Sequence, residues 1–142
     1  MLTVRVWSEP PAMEPGAPMP QVKTVGDRLF VAYVCRNPAF PGWDSKAPPD
    51  HPGFEVYSAI LEFSGVKSFT LGPPSDEKLP EHPLYSAGLE AYGFYEITGG
   101  DAIRRWIITF HDETLDVSAR AATVLKSRVE GEDTDAILTT VA

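Results

Sequence analysis

The chain has 142 residues and a mass of 15.5 kDa, which fits one domain and leaves little for a second. Apolar residues make up 43% and charged residues 23%, a balance that excludes a disordered chain. Twelve Lys and Arg against twenty Asp and Glu give a net charge of −8, which argues against the phosphate-neutralising face that nucleic-acid binding needs. The only adjacent basic pair is Arg104-Arg105. No apolar run approaches the roughly 20 residues that span a bilayer, so no membrane partner is expected. The single cysteine, Cys35, excludes an intramolecular disulfide. With no basic start leading into an apolar stretch, a soluble cytoplasmic protein without a secretory signal is expected.

All 14 prolines lie between Pro10 and Pro83. They fall into three clusters, at residues 8–21, 37–53 and 72–83. Proline lacks a backbone donor and restricts the residue before it, so the clusters read as long loops laid over a single domain, 1–142.

Strand signals lie between these loops. Leu2, Val4 and Val6 alternate with polar or bulky neighbours, a two-residue period. Leu29–Arg36 (LFVAYVCR) is apolar on both faces, as a central strand covered on each side should be. Phe54–Phe63 reads as another strand, with Val66–Leu71 as its returning arm after Gly65. Tyr92–Thr98 (YGFYEIT) is a further strand, closed by Gly99-Gly100. Ile103–Arg120 predicts a hairpin: Phe110 opposite Leu115, Ile108 opposite Val117 and Trp106 opposite Ala119, with Asp112-Glu113 at the tip, either as a two-residue turn or within a four-residue loop from His111 to Thr114. Helix signals are fewer. Glu81–Leu89 suggests a short helix or irregular turn, and Asp133 or Thr134 could cap a segment bringing Ile137, Leu138 and Val141 to one side. Ala121–Val129 reads equally as strand or helix. The expected fold is mainly β, a compact antiparallel barrel or sandwich of about six or seven strands with minor helix.

Chemical motifs are sparse. The three histidines are His51, His82 and His111. His82, His111 and Asp112, with a loop carboxylate such as Asp50, could supply a zinc-type set, but the spacing matches neither HExxH nor CxxC. Cys35 sits in an apolar run and reads as a small buried hydrophobe. No GxSxG elbow, GxGxxG or Walker-type loop occurs, so no cofactor is indicated by motif. Asp112 and Glu113 read as a polar turn rather than an acid–base pair. The stretch Glu81–Glu96 gathers Tyr85, Tyr92, Phe94 and Tyr95 with Glu90 and Glu96. If Tyr92, Phe94 and Glu96 shared one strand face, they would form an aromatic surface for a cation or sugar. The structural alternative is core packing, with Glu96 paired to Arg104 or Arg105.

The segments HPLYSAGLEAYGFYEI and RRWIITFHDETLDVSA together resemble a family of small uncharacterised bacterial proteins. That family joins an HPL–GLE–YG–E segment to a strand ending in T-F-H-D, then T and a hydrophobe. The resemblance covers Glu81 to Ala119 and carries no activity. It implies that His82, Glu90, Tyr92, Glu96, His111 and Asp112 belong to one site.

The leading functional expectation is a non-enzymatic binding module for a small ligand or partner protein. One alternative is an interaction subunit, acting as a homodimer or as the acidic partner of a basic protein. A second is a small metal-assisted hydrolase built on His111 and Asp112.

Overall fold

The computed structural model describes residues 2–36, 56–100 and 103–141. The proline cluster at 37–53, with Asp50 and His51, lies outside the described residues. Nine strands are described: β1 (Thr3–Val6), β2 (Gln21–Val25), β3 (Arg28–Val34), β4 (Tyr57–Ser64), β5 (Ser68–Gly72), β6 (Phe94–Thr98), β7 (Arg104–Thr109), β8 (Thr114–Ala119) and β9 (Ala121–Glu130). One short helix, α1 (Thr134–Leu138), follows. Five strands form one sheet in the order β1-β6-β7-β8-β5, and four form a second in the order β2-β3-β4-β9. Every pair is antiparallel. The sheets pack face to face without closing into a barrel, so the fold is a sandwich, with more strands than the sequence had suggested.

Alternation along β3 explains why its sequence is apolar throughout. Leu29, Val31 and Tyr33 face the other sheet, where they meet Phe94, Trp106, Ile108 and Leu115. Phe30 and Ala32 face outward and are covered by Ile137, Leu138 and Val141. The covering helix is held by its cap, since the Asp133 side chain accepts from the Ala136 N–H at 3.1 Å. Both faces of β3 are therefore dry, as predicted. Cys35 is buried in the inter-sheet core, and burial pushes its thiol up to about 11.

The predicted hairpin forms, with its faces as expected and its register shifted by two residues. Ile108 lies opposite Leu115, Trp106 opposite Val117 and Arg104 opposite Ala119. The Phe110 N–H donates to the Glu113 carbonyl at 2.9 Å, which leaves His111-Asp112 at the tip. A shift of two keeps every side chain on its own face, so alternation cannot detect it. Phe110 does not require Leu115 as a cross-strand partner because it is buried against Tyr33 of the opposite sheet.

Another expectation is corrected. The segment after Gly65 does not return beside β4, whose free side is taken by β9. Instead, Val66 N–H donates to Asp27 and Lys67 N–H to Ser118, carrying the chain from one sheet to the other. There β5 pairs with β8, with Phe69 and Leu71 packed against the core. The ambiguous segment after Arg120 is β9, a long strand with register shifts near Ile60.

The first proline cluster is an ordered strap. Met13 bridges Cys35, Pro18 accepts from Val34 N–H at 2.7 Å, and Pro11 accepts from the Tyr33 hydroxyl at 2.6 Å. On the outer face of the five-stranded sheet, Leu89 packs with Tyr95, Ile97 and Ile107. The segment containing the 3-10 turns Leu79–Glu81 and Tyr85–Ala87 thus covers part of that face, where a short helix or irregular turn is the expectation over Glu81–Leu89. Among the described residues no helix is long and apolar enough to cross a membrane.

Candidate functional site

Two connections place polar side chains beside the β7–β8 hairpin tip. β5 ends with Gly72 opposite Thr114, so the chain leaving it runs alongside the tip. Thr114 Oγ1 then donates to the Pro74 carbonyl at 2.8 Å, and Asp76 N–H donates to the His111 carbonyl at 2.9 Å. From the other side, Tyr92 N–H donates to the Thr109 carbonyl at 2.8 Å.

Tyr92 precedes β6 and has a φ of 61°, in the left-handed region that costs a bulky residue energy. Its neighbours hold it there. Thr109 Oγ1 accepts from Gly93 N–H at 2.8 Å and donates to the Glu90 carbonyl at 2.6 Å. Tyr95 folds its phenol back so that its oxygen accepts from Glu90 N–H at 3.0 Å. A Cβ at position 93 would collide with that ring, so the close approach requires glycine.

The result is a compact triad of Asp76, Tyr92 and His111. The Tyr92 hydroxyl donates to Asp76 Oδ2. His111 Nδ1 lies 3.1 Å from the same oxygen and 3.3 Å from the Tyr92 oxygen, and the two rings stack at 21°. The Tyr92 hydroxyl bond, then the neighbouring backbone and the imidazole, hold the Asp76 carboxyl below its ordinary value despite some desolvation. The same bond pushes the Tyr92 phenol up. With Nδ1–H directed at the carboxylate, Nε2 is the ring nitrogen left for other contacts, 3.7 Å from Asp112 Oδ1. Two recesses meet at this tip. One, of about 450 Å³, lies between Pro73, Ser75 and Lys78 on one side and Asp112-Glu113 on the other. A smaller one, of about 140 Å³, lies between the Gly16–Pro20 strap and His111, Asp112 and Glu113. Burial, and then the Asp112 charge, push the Glu113 carboxyl above its ordinary value.

Of the six residues grouped by the resemblance, the structure brings together Tyr92, His111 and Asp112. The other three lie elsewhere. Glu96 is buried on the same strand face as Phe94, where it accepts from Arg5 at 2.8 Å and Arg104 at 2.9 Å. Burial opposes its charge, but the two guanidinium bonds prevail and leave its carboxyl below the ordinary value. Tyr92 lies outside β6, so no continuous Tyr92–Phe94–Glu96 face forms, and Phe94 is core. The Glu90 backbone is clamped while its side chain faces solvent. His82 Nδ1 accepts from Leu84 N–H at 3.0 Å, and burial lowers its pKa, against the opposing effect of the nearby Asp116 charge. Among the described residues no group of three or more His, Cys, Asp or Glu is placed to hold a metal, so His82, His111 and Asp112 do not form the zinc-type set considered from sequence.

Asp76 is the member that sequence reading missed. It lies 35 residues before His111 in a proline cluster, and no motif spacing ties the two. Only the β5–β8 pairing does. No family model matches the chain, nor does any curated protein or solved structure.

The triad makes a direct prediction. Tyr92→Phe removes the hydroxyl that contributes most to the low Asp76 pKa, so the Asp76 carboxyl should titrate higher, nearer its ordinary value. A depressed folded-state pKa contributes stability above the unfolded value, and that stability is lost as pH falls through the folded value. The wild type should therefore exceed Tyr92→Phe in stability at neutral pH, with the gap closing below about pH 4. Carboxyl-carbon NMR titration of Asp76 measures the shift. An unmoved Asp76 titration would assign its low pKa to another source.

Proposed function

We propose that this protein is a non-enzymatic binding module whose hairpin-tip site receives a basic side chain of a partner protein. The observation that carries this reading is the shared wall of the two recesses, Asp112-Glu113, set beside an imidazole oriented by Asp76. Glu113 holds its charge at a cost imposed by burial and by Asp112, and an incoming ammonium or guanidinium group would relieve that cost. His111 lines the smaller recess, and its Nδ1 is engaged by Asp76. Lys78, on the rim of the larger recess, already lies 3.7 Å from Glu81, which leaves Asp112 and Glu113 for the guest. The overall charge of −8 would favour encounter with a basic partner, and a soluble cytoplasmic setting suits a chain with one buried thiol.

The test is an amide NMR titration with the peptide acetyl-Gly-Arg-Lys-Gly-amide at low ionic strength. Saturable shifts should appear at Asp76, Tyr92 and residues 111–113, and should weaken with added salt. The double variant Asp112→Asn, Glu113→Gln should bind about tenfold or more weakly. Shifts scattered over all surface carboxylates, unchanged in the double variant, would defeat the reading.

A further inference from the structure

A third recess lies on the five-stranded sheet, away from the hairpin tip, with a volume of about 690 Å³. That is within the range of about 300–1,000 Å³ usual for small-molecule sites. Its floor follows from the strand register. Arg105 is opposite Ser118, which is opposite Ser68, while Asp116 is opposite Thr70. In an antiparallel sheet these five side chains share one face, which is the outer one because Trp106, Val117 and Phe69 fill the inner one. The segment from Leu79 to Tyr92 covers the β6 side of that outer face, where Ile97 and Ile107 pack with Leu89. The β8–β5 side stays open, and Gly99-Gly100 with Ile103 forms a wall beside it.

The chemistry of this floor is specific. Arg105 Nε donates to Asp116 Oδ1 at 2.9 Å and its Nη2 donates to Oδ2 at 2.6 Å, a two-point pair. Arg104 and Glu96, also in the lining, form a second pair, with Arg104 Nε donating to Glu96 Oε2 at 2.9 Å while Arg5 holds Oε1. All four charges are thus neutralised in place. The Ser68, Thr70 and Ser118 hydroxyls, by contrast, make no hydrogen bond among the described residues. An ionic ligand would have to break one of the pairs. A ligand whose groups both donate and accept can instead use the spare carboxylate lone pairs, the remaining guanidinium N–H groups and the three hydroxyls at once. Leu2, Ile97 and Ile103 supply apolar surface for C–H groups.

We infer that the open outer face around Arg105, Asp116, Ser68, Thr70 and Ser118 is a binding site for an uncharged polyhydroxylated ligand, of the saccharide class. It is independent of the hairpin-tip site and does not require a protein partner.

Amide NMR titrations with maltotriose, cellotriose and xylotriose, and with inorganic phosphate for comparison, test this. Saturable shifts at residues 68, 70, 105, 116 and 118 with at least one trisaccharide support the site. Ser68→Trp fills the recess from an exposed position on an edge strand and should weaken binding about tenfold or more. Thr70→Trp, on the same strand face, serves if the first variant fails to fold. No saturable shift with any trisaccharide at about 10 mM would overturn the inference, since such affinities are weaker than any useful site. Stronger binding of phosphate than of every trisaccharide, or binding undiminished in the tryptophan variant, would overturn it equally.

Discussion

Trp106→Ala should lower stability by about 3–5 kcal/mol, the usual cost of emptying a large buried aromatic site. The indole is 1% exposed and stands where the two sheets meet. Its ring lies 5.6 Å from Phe63 of β4 and 6.2 Å from Trp7, and Trp7 also contacts Phe63 and Phe94. Removing it leaves a void between sheets whose backbones are fixed by their own ladders, so collapse is limited. Arg104, whose guanidinium lies 4.8 Å over the indole, also loses its platform. Against a total of about 5–15 kcal/mol, this is a large fraction of the stability. Urea unfolding should show a lower midpoint with little change in slope, and Trp106→Phe should recover part of the loss. A loss under about 1 kcal/mol would mean that the sheets do not depend on this shared core for their packing.

Legibility in the sequence followed the range of the physics involved. Local patterns were readable: β3 is apolar throughout because it is covered on both faces, and Asp133 caps a helix whose apolar side meets Phe30 and Ile60. Period-two alternation gave the faces of the β7–β8 hairpin but was blind to a shift of two residues. Sheet membership was not local at all. Whether the segment after Gly65 returns or crosses depends on β9 already occupying the edge of β4, and β9 lies far along the chain. The candidate site inherits that limit. Tyr92, His111 and Asp112 could be suspected from their residue types, whereas Asp76 joins them only because β5 crosses to pair with β8. Glu96 was legible in part: its pairing with Arg104 and the core placing of Phe94 match the core-packing reading, whereas Arg5 reaches it only through the β1–β6 pairing.

Thr109→Val tests whether the hidden support of the site matters to its chemistry. The side chains have nearly the same shape, so no cavity forms, and the change removes only the hydroxyl. Thr109 is 1% exposed, and its Oγ1 serves two backbone groups, accepting from Gly93 N–H and donating to the Glu90 carbonyl. Valine leaves the half-buried Gly93 N–H without its side-chain partner, while the Glu90 carbonyl keeps a longer bond from Tyr95, at 3.3 Å. A fully buried unsatisfied group costs about 1–3 kcal/mol, and because Gly93 is only half-buried the expected loss in unfolding free energy is about 1 kcal/mol. The consequence for the site goes further. Tyr92 holds a positive φ because Thr109 fixes the residues on either side of it, so loosening the clamp lets the backbone relax toward its ordinary region. The phenol would then draw away from Asp76, and the Asp76 carboxyl should titrate higher, as in Tyr92→Phe. Thr109→Ser keeps the hydroxyl and should restore the Asp76 titration even if it recovers only part of the stability. A valine variant that loses stability yet leaves the Asp76 titration unchanged would show that the clamp holds the strand and not Tyr92.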